Sequence, residues 1–270
     1  MNATGRILYC QCAYWAALPA DTKQAVRAGL TGLEVEAVAD LCELAARKDP
    51  ALKRWAETPG LQIVACHPRA IRWLFAYAGA PLPTDAVIHN MRLERAEAIL
   101  ARLRSASREH LAPREYIAPH EYFAPREHTG GHSPPGDERF PPKKPGEWVP
   151  WFPVIDYDRC QGCRQCFEFC LFGVYTVEGA TVRVAQPDHC KTGCPACARV
   201  CPHSAIVFPK FKDGPISGAE GELTDVGRDG LKADLAGLSQ GEIMSLLRRR
   251  SAARVQVAKD NDAVRKPNDE

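Results

Sequence analysis

The tightest constraint on this chain is the spacing of its cysteines. Eight of the twelve lie between Cys160 and Cys201. They form two runs, Cys160-x2-Cys163-x2-Cys166-x3-Cys170 and Cys190-x3-Cys194-x2-Cys197-x3-Cys201-Pro202. Spacing this compact lets one loop wrap three corners of an iron–sulfur cubane while a fourth thiolate arrives from elsewhere. Tetrahedral zinc is the competing use of four cysteines, but zinc motifs pair CxxC knuckles across a longer gap. A disulfide framework suits an exported chain. The start, Met1 to Cys12, lacks the basic leader and apolar run of a secretory signal. We therefore expect a reducing, cytoplasmic setting in which the cysteines serve metal or redox chemistry. No apolar stretch is long enough to span a bilayer. A net charge of +2, with 25% charged residues, gives no bulk reason to expect nucleic acid or a membrane surface as partner.

The residues around the two runs fit one small fold. Val174–Val177, Glu178–Gly179 and Thr181–Val184 read as a β-hairpin between the cysteine loops, and Ala205–Phe208 as a closing strand. Residues 152–209 resemble two-cluster bacterial ferredoxins, an α+β ferredoxin-like fold. In that family the fourth cysteine of each run serves the other cluster. The resemblance therefore implies Cys160, Cys163, Cys166 and Cys201 as ligands of one [4Fe–4S] cluster. It implies Cys170, Cys190, Cys194 and Cys197 as ligands of the other. Two departures stand out. Leu171 replaces the expected proline after Cys170, and three residues rather than two separate Cys190 from Cys194.

Residues 1–104 have another character. Arg6–Cys10, Leu33–Val38, Leu61–Cys66 and Ala86–His89 read as strands. Thr22–Leu30, Asp40–Lys48, Pro68–Ala78 and Asn90–Arg104 read as helices between and after them, with Asp49–Pro50 breaking or restarting the second. Alternation of this kind predicts an α/β unit with a small parallel sheet and crossover helices. Cys10, Cys12, Cys42 and Cys66 fall at or just beyond predicted strand ends, which share one edge in a parallel sheet. They are candidates for a third metal site, with buried unligated thiols as the plain alternative. Tyr9-Cys10-Gln11-Cys12, Asp40-Leu41-Cys42, Ala65-Cys66-His67-Pro68-Arg69, Ala78-Gly79-Ala80 and Asn90-Met91-Arg92 resemble the N-terminal domain of the large flavin-bearing polypeptide of heterodisulfide reductase. That resemblance implies an additional [4Fe–4S] cluster on Cys10, Cys12, Cys42 and Cys66. The flavin-binding loop of that polypeptide, GxGxxG after a strand, has no counterpart in this sequence.

Between these units, residues 105–150 carry nine prolines and a repeat, Ala112–Ile117, Ala118–Phe123 and Ala124–Thr129. Proline at this density reads as an extended linker. Residues 211–270 read as an extension, with a turn at Lys212–Gly218. A capping box at Ser239 and Glu242 precedes a short helix, Ile243–Arg250, and then a polar tail. The functional expectation is an electron-transfer protein with two [4Fe–4S] clusters and a third in the N-terminal unit. Its partners would be redox proteins, including a larger oxidoreductase complex, and it would carry no catalytic residues of its own. Two alternatives come from other classes. One is a heterodisulfide reductase-like enzyme whose N-terminal cluster reduces a disulfide; the other is a zinc-bound scaffold.

Overall fold

Four short apolar strands lie parallel at the centre of the first unit in this computed structural model, which describes residues 7–106, 147–212, 214–221 and 223. They are β1 (Ile7–Cys10), β2 (Val35–Val38), β3 (Gln62–Ala65) and β4 (Val87–Asn90), in the order β2-β1-β3-β4. The two inner strands, β1 and β3, are buried along nearly their whole length. That is what an apolar run covered on both faces of a parallel sheet requires. The crossovers are α1 (Ala20–Gly29), α2 (Leu41–Ala46) with α3 (Ala51–Ala56), and α4 (Pro68–Tyr77); α5 (Ala96–Ala106) follows β4. The α/β reading of residues 1–104 agrees with this sheet.

Local chemistry sets the boundaries. The Asp40 carboxylate accepts the N–H groups of Cys42 (2.9 Å) and Glu43 (3.2 Å), so α2 begins at Leu41. Asp49 accepts the N–H of Ala51 at 2.9 Å, and the chain restarts as α3. Pro68 opens α4, where its missing N–H costs no helical bond. The expected helix from Asn90 is shorter at its start. The Asn90 side-chain oxygen accepts the Arg92 N–H (3.0 Å), and the Glu94 carboxylate accepts the Asn90 N–H (2.7 Å). These side-chain bonds hold a turn, and helix begins only at Ala96.

The second unit pairs β5 (Val154–Ile155) antiparallel with β8 (Ile206–Val207), and β6 (Tyr175–Glu178) antiparallel with β7 (Thr181–Val184). Two short helices, α6 (Gln165–Phe169) and α7 (Ala196–Val200), pack on each other between the sheets. The hairpin begins one residue later than its sequence suggests, and β5 carries no sequence signal of its own. Its two residues are too few to show alternation.

The two units are joined by packing. Tyr77 of α4 meets Phe152 (ring centroids 5.3 Å), Trp73 meets Tyr157 (5.7 Å), and Trp15 meets Trp151 (5.2 Å). Arg69 of α4 donates through Nε to Asp156 (2.5 Å) and through its other nitrogens to the carbonyls of Ser204 and Pro215. Arg92 donates to the carbonyls of Pro209 and Lys212, both at 2.8 Å. Lys210 donates to Asp40, with both side chains almost fully buried. The apolar core runs without a break from the parallel sheet into the second unit. The proline-rich repeat, the capping box at Ser239 and Glu242 and the helix expected at Ile243–Arg250 lie outside the described residues. Among the described residues, no helix is long and apolar enough to cross a membrane.

One buried group makes the fold acid-sensitive. His89 on β4 is 2% exposed and donates to Gln62 at 3.0 Å. Burial, with help from the Arg102 charge, lowers its pKa from 6.5 to about 4. The unfolded chain therefore takes up a proton first as pH falls. The His89 contribution to stability is full above pH 6.5, drains between pH 6.5 and 4, and its loss then levels off at about 3 kcal/mol. Urea midpoints measured at pH 7 and pH 5 should fall further in the wild type than in His89→Gln. Equal falls would show that His89 is not the group responsible.

Candidate metal centres

The ferredoxin-like unit builds its cysteine sites from two similar loop–helix pieces. In the first loop Gly162 has φ +68°, and a Cβ there would meet the Ala180 carbonyl at 3.1 Å. Arg164 follows in the left-handed region and donates to the Gly179 carbonyl at 2.9 Å. The β6–β7 turn thus pins this loop, while Asp156 accepts the N–H groups of Asp158 and Arg159 just before Cys160. Helix α6 carries Cys166 and ends at Cys170; α7 carries Cys197 and ends at Cys201. In each helix the two cysteines lie four residues apart, so the last one reaches beyond the helix end towards the other loop.

The electrostatic neighbours sort the eight thiols into two sets. Burial pushes Cys166 up to about 12; the Phe167 N–H opposes this, and Cys201, Cys160 and Cys163 add to it. Burial likewise raises Cys190 to about 12, with Cys194 and Cys170 as its neighbours. Cys197 is raised by burial, the Tyr175 hydroxyl opposes the rise, and Cys190, Cys170 and Cys194 add to it. Cys170, Cys190, Cys194 and Cys197 also line one cavity of about 350 Å³, walled by Val174 and Tyr175. The buried Tyr175 hydroxyl sits beside the Cys197 sulfur and favours its charged form. A buried hydroxyl aimed at a thiolate fits a cluster, whose potential such bonds set.

The sheet edge gathers the other four. Cys10 ends β1, Cys12 follows it, Cys42 lies in the first turn of α2 and Cys66 follows β3. Main-chain bonds from Gln11 to Val38 (3.0 Å) and from Ala13 to Ala39 (2.9 Å) carry the β1–β2 pairing past Cys10. Between them Cys12 turns left-handed at φ +46°, a conformation rare for a residue with a side chain. Burial raises Cys10, with Asp40 and Cys12 adding, while the Leu41 N–H points at its sulfur from 3.4 Å. Burial raises Cys42, opposed by Lys210, with Asp40, Cys66 and Cys12 adding. Burial raises Cys66 to about 11, opposed by Arg92. Thiols held this high stay protonated near neutral pH unless a metal takes the place of the proton. All twelve cysteines are free, and among the described residues no group has the arrangement that holds a single metal ion. A cubane spreads its ligands over four irons and needs a wider cradle than one ion does. The donor chemistry, the aimed Leu41 N–H and the buried Tyr175 hydroxyl beside Cys197 fit iron–sulfur clusters.

Comparison with known proteins bears on the second unit. A family described as a 4Fe-4S binding domain matches residues 152–175. A ferredoxin of Methanothermococcus thermolithotrophicus is 44% identical over 55 residues, which cover 20% of this chain and 90% of that protein. The chain belongs to the ferredoxins. An uncharacterized ferredoxin of Methanocaldococcus jannaschii is 43% identical over 65 residues, 24% of this chain; the match spans only 44% of that relative's length. A pyruvate synthase subunit PorD of Methanothermobacter marburgensis is 36% identical over 78 residues, 29% of this chain and 88% of its own. As a ferredoxin, the chain is an iron–sulfur protein that transfers electrons through [4Fe–4S] chemistry.

Several residues of this ferredoxin matter in ways its sequence does not announce. Arg69 and Arg92, which taken singly read as surface arginines or balancing charges, bridge the two units, with Arg69 only 7% exposed. His67 is packed locally against the Asn90 amide at 3.1 Å, and burial lowers its pKa to about 3. Lys210 is invisible to sequence reasoning, because a lone lysine after a strand carries no signal of burial. Its partner Asp40 lies 170 residues away.

Proposed function

We propose that this ferredoxin is a three-cluster electron-transfer component of a larger redox complex. Cys160, Cys163, Cys166 and Cys201 would hold one [4Fe–4S] cluster; Cys170, Cys190, Cys194 and Cys197 would hold a second. Cys10, Cys12, Cys42 and Cys66 would hold the third. The single observation that carries this reading is that the twelve thiols fall among one another as three neighbouring sets of four. The N-terminal resemblance to the flavin-bearing polypeptide of heterodisulfide reductase supports the third site, and the packed interface supports cluster-to-cluster transfer within one chain. Relatives named as pyruvate synthase subunits favour a dedicated oxidoreductase partner over free diffusion.

The chain's own residues do the rest of the work. Parallel strand ends and α2 position the N-terminal thiols, α6 and α7 with their preceding loops position the other two sets, and the aromatic interface packs the two units together. Each cubane supplies a one-electron couple when bound. Anaerobically prepared protein should contain about twelve irons and as many acid-labile sulfides, and Cys42→Ala about eight. About eight irons in both would remove the N-terminal site. Colourless protein holding zinc and no sulfide would sink the whole reading.

A further inference from the structure

We infer that Lys210, supplied by the ferredoxin unit, is a built-in countercharge of the N-terminal thiol set and fixes the reduction potential of that centre. This rests on the N-terminal set holding a cluster. Lys210 follows β8, the closing strand of the ferredoxin unit, yet its side chain crosses into the first unit and is 2% exposed there. It donates to one oxygen of Asp40, whose other oxygen caps α2 at Cys42 and Glu43. The ammonium is thus anchored at the helix start that carries Cys42. Burial works against its charge, but Asp40, Cys12 and Cys42 together outweigh that. Its charge is also felt at Cys66.

A buried ion pair of this kind is weak evidence for stability, because desolvating both charges cancels much of their attraction. It makes better sense as part of a charged site. Four thiolates around a cubane carry net negative charge, and reduction by one electron adds another negative charge with no bond made or broken. An electron entering a cluster on the N-terminal thiols would come from a cluster held by the ferredoxin unit, which would be oxidised in turn. A fixed cation in a low-dielectric setting favours the more negative, reduced state. Asp40 acts in the opposite direction from the same place. The two units therefore share one site: the thiols and Arg92 come from the first and the Lys210 ammonium from the second.

Redox titration followed by electron paramagnetic resonance tests this on the full chain. The Cys42→Ala protein identifies which signal belongs to the N-terminal centre. Lys210→Met should shift that signal to a more negative potential and leave the two ferredoxin signals unmoved. Asp40→Asn, which keeps a capping side chain, should shift it the other way, and Lys210→Arg should restore the wild-type value. Opposite shifts are a charge effect; a purely structural role would disturb both variants alike. An unmoved N-terminal potential in Lys210→Met, or shifts of the same sign in Lys210→Met and Asp40→Asn, would overturn the proposal. If Lys210→Met fails to load, Asp40→Asn decides: a positive shift supports the proposal, and none overturns it. Wild-type protein with only about eight irons would instead fail the three-cluster reading itself.

Discussion

Removing Cys194 and Cys201 together should cost the protein about eight irons, whereas removing Cys170 and Cys194 together should cost only about four. The difference follows from the crossed ligation proposed for the two sets. Cys194 and Cys201 are neighbours in the sequence, but Cys201 sits among Cys160, Cys163 and Cys166, and Cys194 sits with Cys170 and Cys190. The first double variant therefore damages both ferredoxin centres, and the second damages one of them twice. Sequential ligation, each run closing on its own iron, predicts the reverse. Equal losses in the two variants would mean that any missing thiol unravels the whole unit. Crossing would then have no support. Iron and sulfide determination after anaerobic purification separates the three outcomes.

Arg69→Met should lower the stability of the protein by about 3–5 kcal/mol, the usual cost of stranding one partner of a buried pair. Arg69 and Asp156 are 7% and 3% exposed, so water cannot take over the lost bonds. The substitution also strips the carbonyls of Ser204 and Pro215 of their donor. Arg159, 3.5 Å from the same carboxylate oxygen, is the charge left beside Asp156. Adding Asp156→Asn should recover part of the loss by removing the stranded charge, while the amide oxygen still accepts from Asp158 and Arg159. Urea midpoints on the three proteins, taken with clusters in place, give the comparison. A loss below about 1 kcal/mol for Arg69→Met would put this pair in the class of solvent-screened bridges.

Much of this is legible in the residues themselves. Period and punctuation reveal the α/β unit, because Ile7–Cys10 and Gln62–Ala65 are apolar runs bounded by breakers. Cysteine spacing reveals the ferredoxin unit. The gathering of Cys10, Cys12, Cys42 and Cys66 is legible too, since parallel strands end on one edge. What stays hidden is tertiary. Asp40 reads as a helix cap and is one, but nothing in its neighbourhood tells of Lys210. Arg69 reads as a surface residue of α4 because its acceptors come from Asp156, Ser204 and Pro215. The early start expected of the last helix fails at Asn90, where a side chain able to bond its own backbone outweighs helical periodicity. A linker between the units suggests separate bodies, and the aromatic pairs across Trp15, Trp73 and Tyr77, with the bonds of Arg69, Arg92 and Lys210, reveal how closely they dock.

The interface also sets an order of events during synthesis. Asp40 leaves the ribosome 170 residues ahead of Lys210, a delay of roughly 10–30 s at ordinary translation speeds. Through most of that interval the nascent sheet edge presents its cysteines and the Asp40 carboxylate without the Lys210 ammonium, and the aromatic face of α4 lacks the rings of Phe152 and Tyr157 that cover it. Iron delivered in that window would meet an unfinished site open to oxygen and solvent. A cluster on the N-terminal thiols would therefore mature best after Lys210 has emerged and the ferredoxin unit has docked over the sheet edge.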